Sequence, residues 1–236
     1  MTDDRNDAPD VPADTGGLDY GRLYEFRFRD VEQRARQTVW NEIGPFVWKR
    51  MGSPARVLDP AGGRGEFVNS IAADERWLVD LVDYPHRRTV PGVKVVIGDV
   101  LSLDLPRGYF DGIFVSNLLE HLADPDAVAG FLARMRGALA PGGVLAVQMP
   151  RNFDAPSHVL MRETAAQGPW AVRLMPQTVA GSLAASPLRL DPVGPPEFYY
   201  DLLRPLAGGG LDLWETEYLH VLAGDDPVLE WVRGSA

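Results

Sequence analysis

Asp59 and the small residues behind it are the positions in this chain best suited to chemistry. Asp59 closes an apolar run, Val57-Leu58, and is followed by Pro60, Ala61, Gly62, Gly63, Arg64 and Gly65. Phe67, Val68 and Ile71 then recur at helical spacing. This is the pattern of a strand, a tight turn and a helix start. Glycines let backbone N–H groups approach a ligand without a Cβ in the way, and the helix start adds partial positive charge. Asp59, Ala61, Gly63 and Gly65 are therefore placed as a cradle for a nucleotide-like cofactor.

A dinucleotide fold would want a third glycine where Val68 stands, so the G-x-G-x-x-G pattern fails. Later residues fit S-adenosylmethionine better. Asp80 lies on the next apolar strand, where a carboxylate accepts both ribose hydroxyls; Asp83 is the alternative ligand. Gly98-Asp99-Val100 follows the third strand, and Asp99 is placed to accept from an adenine amino group, or instead to cap a turn. Ser116-Asn117 and Glu120-His121 follow the fourth strand, at the mouth of the same crevice or on a solvated helix face.

These residues require an alternating scaffold. Strands are expected at about 55–60, 77–82, 93–97, 112–116 and 144–147, with helices at about 64–73 and 126–139. Pro141-Gly142-Gly143 is read as a stop signal. Such a succession implies an α/β fold, a doubly wound, mostly parallel sheet of the Rossmann-like kind with helices on both faces. Ligands then sit beyond the carboxyl ends of the strands. Residues 1–17 read as a disordered tail. Residues 18–54 read as a helical segment in which Val31, Ala35, Val39 and Ile43 recur and Gly44-Pro45 marks a break. Residues 55–150 form the cofactor-binding core, and 151–236 the acceptor-binding and C-terminal part of the same domain. In that part, helices are expected at 155–168 and 197–204, a strand at 211–222 and an amphipathic turn at 228–232.

Composition narrows the chemistry. The chain has 236 residues, no cysteine and a formal net charge of −10. Without cysteine there is no disulfide, thiolate zinc site, cysteine-ligated cluster or cysteine nucleophile. The four histidines lack metal-ligand spacing, so no metal is expected. The negative charge argues against nucleic acid or an anionic membrane as partner. A small-molecule acceptor, a cytoplasmic location and a monomer or weak homodimer are the expectations.

Several stretches carry a family resemblance. Residues 57–65 (Val-Leu-Asp-Pro-Ala-Gly-Gly-Arg-Gly), Val79-Asp80, Gly98-Asp99-Val100, residues 110–121 and residues 139–143 resemble the class I S-adenosylmethionine-dependent methyltransferases. The resemblance implies that Asp59, Ala61, Gly63, Gly65, Asp80, Asp99, Val100 and Asn117 bind the cofactor. Ala61 departs from it, standing where the family usually has its first glycine. Residues 142–236 resemble trans-aconitate 2-methyltransferases through blocks such as 147–152, 155–158, 199–203 and 214–218, whereas residues 18–140 resemble other class I members. The fold's usual last antiparallel strand is expected to be missing.

The resemblance implies methyl transfer to a carboxylate oxygen of a trans-aconitate-like acid. Arg151, Asn152, His158, Arg162 and Arg173 are candidates for its carboxylates, and Trp170, Tyr199, Trp214 and Tyr218 for the pocket walls. Were the acceptor a hydroxyl or amine of a sugar or secondary metabolite, a base would be needed, and His121 and His158 lead. A third reading is a cofactor-binding module without catalysis.

Overall fold

The computed structural model describes residues 33–84, 87–122, 124–169, 171, 193–208, 210–217 and 221–229. Its centre is a sheet of five parallel strands, β1 (Arg56–Asp59), β2 (Glu75–Asp80), β3 (Val93–Ile97), β4 (Phe110–Ser116) and β5 (Leu139–Gln148), in the order β3-β2-β1-β4-β5. The strand order reverses between β1 and β4, and in a doubly wound fold ligands sit beyond the carboxyl ends of the strands at that point. Val57 and Leu58 of β1 and Ile113, Phe114 and Val115 of β4 are apolar and buried, as the middles of strands covered on both faces must be.

Two clusters cover the two faces. On one face α1 (Gln33–Arg50) and α2 (Glu66–Ser70) bury Phe67, Val68 and Ile71 against Val57, Leu78 and Phe114. Trp40 meets Phe67 and Phe114 edge-on, each at 6.2 Å, which ties α1 to both α2 and β4. On the other face α3 (Pro125–Ala138) places Val128, Phe131, Leu132, Met135 and Ala138 on Leu58, Val79 and Ile113. Those positions form one helical stripe. The Asp124 side chain caps α3 by accepting from the Ala127 N–H at 2.8 Å, and Pro125 occupies the first turn, where a missing N–H costs nothing. α4 (Pro156–Gln167) and α5 (Pro196–Leu203) follow β5.

Several expectations need correction. α1 runs unbroken through Pro45. A mid-helix proline costs about 3 kcal/mol, but burial of Trp40, Val47 and Trp48 offsets it. The inward stripe is Trp40, Gly44, Val47 and Trp48; Val39 and Ile43 point to solvent. β2 starts at Glu75, so Asp80 is its last residue rather than its middle. Pro141-Gly142-Gly143 does not end an element: it bulges out of β5, whose pairing jumps from Phe110↔Leu139 to Gly112↔Val144. Residues 211–217 form no strand. Instead, Asp212 pairs with Arg50 and Glu215 with Arg151 at the surface, both at 2.6 Å, and Leu213 and Trp214 stay exposed. Among the described residues, neither the 81–92 nor the 98–109 connection contains a helix. The tail at 1–17 lies outside the described residues.

Gly44 marks the closest approach of α1 to α2. A Cβ there would lie 1.8 Å from Ser70 Oγ. Alanine normally gains about 1 kcal/mol over glycine inside a helix; here overpacking reverses the sign. Gly44→Ala is expected to destabilise the fold by about 1–3 kcal/mol in chemical denaturation. Adding Ser70→Gly should recover most of that loss, a coupling that a double-mutant cycle reads directly.

Candidate cofactor site

The register of β1 on β2 builds the site. Asp59 pairs with Leu78, so Asp80 emerges one pleat further along, on the same side as Leu78 and beside the turn that leaves β1. That turn folds back onto β2: the Gly62 N–H donates to Val79 O at 3.1 Å, and the Gly65 N–H to Gly62 O at 2.8 Å. Gly63 and Gly65 take φ of +53° and +88°, the left-handed region that favours glycine. Gly62 is required by packing, since a Cβ would lie 2.4 Å from Leu78 Cγ. Ala61 keeps a negative φ, which is why alanine replaces the family's first glycine without strain.

Asp80 is bound into this turn. Its Oδ2 accepts from the Gly63 N–H at 2.8 Å and its Oδ1 from the Val82 N–H at 2.9 Å. A carboxylate has about four acceptor positions, so capacity for a hydroxyl pair remains. Burial lifts the Asp80 pKa above the ordinary carboxylate range, against the pull of those two donors and of Arg87. Asp83, the alternative ribose ligand, stands at the surface and meets only Arg87 Nη1, at 3.5 Å.

Asp59 is the most constrained carboxyl group. It is 3% exposed, and its Oδ1 has no hydrogen-bond partner among the described residues. Burial raises its pKa to about 8, opposed by the Ala61 backbone N–H and reinforced by the charges of Asp80 and Glu66. Glu66, the first residue of α2, is also buried, but Arg36 Nε reaches its Oε1 at 2.8 Å. An orphaned buried carboxyl oxygen at the foot of the turn, and open space at Gly63, where a Cβ would meet nothing within 4 Å, fit a cofactor that brings a cation and donors of its own.

The remaining residues divide. Asp99 caps a turn, its Oδ1 accepting from the Leu101 N–H at 2.8 Å, which engages one of its two oxygens. The Val100 side chain is buried in the core, so only its backbone is left to meet a ligand, and the carbonyl already accepts from Arg134 Nε at 2.9 Å. Asn117 is exposed at the end of β4 with φ of +51°, and its N–H donates to Gln148 O at 2.9 Å. Glu120 lies buried rather than on a solvated face, and desolvation raises its pKa to about 7. His121 beside it is exposed.

Of the acceptor candidates, Arg151 and Asn152 are exposed just past β5, and His158 is half-buried on α4. Arg162 donates to Phe153 O at 2.6 Å and lies over the Phe153 ring. Tyr199 is corrected: it is 8% exposed, packs in the core and accepts from the Gly194 N–H through its hydroxyl, so among the described residues it is a core side chain rather than a pocket wall. Trp214 is exposed, with Arg50 over its ring. Trp170, Arg173 and Tyr218 lie outside the described residues. Sequence reasoning missed Gly62 and Arg87; a third glycine in the cluster was visible for the first, whereas no local pattern marks an arginine in an irregular crossover.

Comparison with known proteins agrees with this geometry. A family described as a methyltransferase domain matches residues 32–178. The chain is similar to a trans-aconitate 2-methyltransferase of Methylobacterium nodulans, at 38% identity over 78% of this chain and 69% of that protein. Proteins of the same name from two strains of Rhodopseudomonas palustris are 35% and 48% identical, each alignment covering 92% of this chain and 80% of the relative. At that coverage the likeness runs through the front half as well as through residues 142–236. The chain belongs to the family of S-adenosylmethionine-dependent methyltransferases.

Proposed function

We propose that the protein methylates a carboxylate oxygen of a small polycarboxylic acid resembling trans-aconitate. The observation that carries this reading is the set of relatives bearing that enzyme's name, which align along most of the chain. S-adenosylmethionine supplies a methyl group on a sulfonium, and in-line attack by the acceptor oxygen forms the new O–C bond as the S–C bond breaks to leave a neutral thioether.

The residues at the crevice bind and align. The 61–65 turn and Asp80 hold the cofactor, Asp80 through the acceptor positions that Gly63 and Val82 leave open; Asp99, the Val100 backbone and Asn117 flank the adenine end. A carboxylate acceptor with a pKa near 4 is ionised at neutral pH and needs no general base. His121 and His158 then serve as orienting donors, and Arg151 and Asn152 take acceptor carboxylates. The exposed Arg151–Glu215 pair has little net worth and exchanges readily for a ligand carboxylate. Trp170 and Tyr218 complete the acceptor side. Alignment of the two reactants supplies much of the acceleration. The partner is a small molecule rather than a nucleic acid, and the protein acts in the cytoplasm as a monomer or weak homodimer.

Asp59 gives the stability of the fold a pH dependence. Its folded pKa, about 8, lies above the ordinary value of 3.8, so the folded state binds the proton more tightly than the unfolded chain. The stability this proton confers is complete below about pH 4 and is lost as pH rises toward 8.

Three measurements test these statements. S-adenosylhomocysteine should bind the wild-type protein in calorimetry and bind Asp80→Ala at least about tenfold more weakly; unchanged affinity would move the ribose contact to Asp83. Labelled methyl should appear on trans-aconitate at a rate nearly flat between about pH 6 and 8, with His121→Ala and His158→Ala keeping that flat profile. A steep limb abolished by either substitution would point to a hydroxyl or amine acceptor. Asp59→Asn should melt like wild type near pH 4 and be more stable by a few kcal/mol at pH 8, since each tenfold difference in proton affinity between folded and unfolded chain is worth about 1.4 kcal/mol.

A further inference from the structure

Arg87 lies on the 81–92 crossover, outside every residue assigned so far, and its side chain is only 4% exposed. Its Nε donates to Gly63 O at 2.7 Å and its Nη2 to Val82 O at 2.5 Å, while Nη1 faces Asp83 Oδ1 at 3.5 Å. Gly63 is thus gripped at both ends, its N–H by Asp80 and its carbonyl by Arg87. The same two side chains also hold both polar groups of Val82, N–H by Asp80 and carbonyl by Arg87. The crossover is fastened a second time by Asn69 on α2, which donates to Arg88 O at 2.7 Å and accepts from the Val90 N–H at 2.9 Å.

A planar trans peptide sets C=O and N–H on opposite sides. By drawing the Gly63 carbonyl toward the crossover, Arg87 leaves the Arg64 N–H on the far side of that peptide. We infer that Arg87 is a positioning residue for the methyl donor, clamping the glycine turn to the exit of β2 so that Asp80 and the turn present one fixed geometry to the cofactor. The inference rests on the placement of the cofactor at this turn.

A guanidinium fork suits the task. It reaches two carbonyls at once with directed N–H groups, which a lysine ammonium does not reproduce. It also sets the charge balance around Asp80. The charged groups there are Arg87 and Asp83 on the crossover, Asp59 at the end of β1, and Glu66 on α2, which Arg36 neutralises. Arg87 is the positive charge among those acting on Asp80. Removing it leaves Asp80 buried beside another carboxyl group, so Asp80 takes up a proton at higher pH.

The test measures S-adenosylhomocysteine affinity by calorimetry from about pH 5.5 to 8.5 for wild type, Arg87→Gln and Arg87→Lys, with melting curves for each. Arg87→Gln is expected to bind about tenfold more weakly at pH 7.5, with a wider gap at pH 5.5. Arg87→Lys should lose affinity at every pH while keeping the wild-type slope. Affinity within about twofold of wild type for both variants, or an equal loss at every pH for Arg87→Gln, would overturn the assignment. If Arg87→Gln does not fold, Arg87→Lys decides: weaker binding at an unchanged melting temperature supports the clamp, and wild-type affinity overturns it. A wild-type chain that fails to bind S-adenosylhomocysteine would instead sink the cofactor reading itself.

Discussion

The peptide groups of Gly62 and Gly63, pressed between the ends of β1 and β2, are what the rest of the site depends on. Asp59 ends one strand and Asp80 the other, and the turn must pass between them while returning a hydrogen bond to Val79. Left-handed backbone at 63 and 65 gives it the curvature, and the missing Cβ at 62 gives it clearance from Leu78. Without that curvature the Gly63 N–H would not meet Asp80, and the start of α2 would not lie over Leu78 and Phe114. The entropic cost of fixing these glycines is offset by Phe67, Val68 and Ile71, which are buried immediately afterwards. Burying side chains of this size is worth about 1.5–3 kcal/mol each.

Charge is arranged around the same turn with an asymmetry. Three carboxyl groups converge, and two of them have an arginine within reach: Glu66 has Arg36, and Asp80 has Arg87. Asp59 has a single backbone donor and an orphaned oxygen. A buried carboxylate without a cation is costly, and near neutrality it keeps a proton instead. The site therefore holds one protonated carboxyl group whose ionisation a cationic ligand would favour. That matches a methyl donor whose reactive sulfur is positive until the methyl group leaves.

Much of this was legible in the sequence because it is local. An apolar run, an acidic end and clustered glycines specify a strand, a turn and a helix start within ten or so residues, and 57–71 folds that way. The helix expected at about 126–139, found at Pro125–Ala138, was equally readable, as were β3 and β4. What the sequence hid was decided at a distance. Pro45 reads as a break until Trp40 and Trp48 find Phe67, Phe114 and the Pro54 carbonyl across α1. Leu211 to Leu222 alternates like a strand, but alternation says nothing about whether a partner edge is offered, and residues 212 and 215 meet arginines at the surface instead. Tyr199 looks like a pocket wall by composition and is core by packing. Asp99 and Val100 do follow the third strand, yet which of their groups face a ligand depends on the turn that Leu101 closes.

The two short crossovers explain why an arginine carries so much at the flank of the site. Parallel strands are ordinarily joined by a helix that covers the sheet; here residues 81–92 connect β2 to β3 without one among the described residues. β3 is left as a thin edge, with Val95 and Ile97 more than a third exposed. A bare loop has no internal hydrogen-bond ladder to hold its shape, so its backbone groups must find partners elsewhere. Asn69 takes those of Arg88 and Val90, Arg76 takes the Pro91 carbonyl at 3.0 Å, and Arg87 spans back to Gly63 and Val82. A few side chains thereby replace the rigidity a helix would have supplied. They do so from α2, β2 and the crossover itself, the elements that frame the glycine turn, so the stability of the crossover and the geometry of the turn become one property.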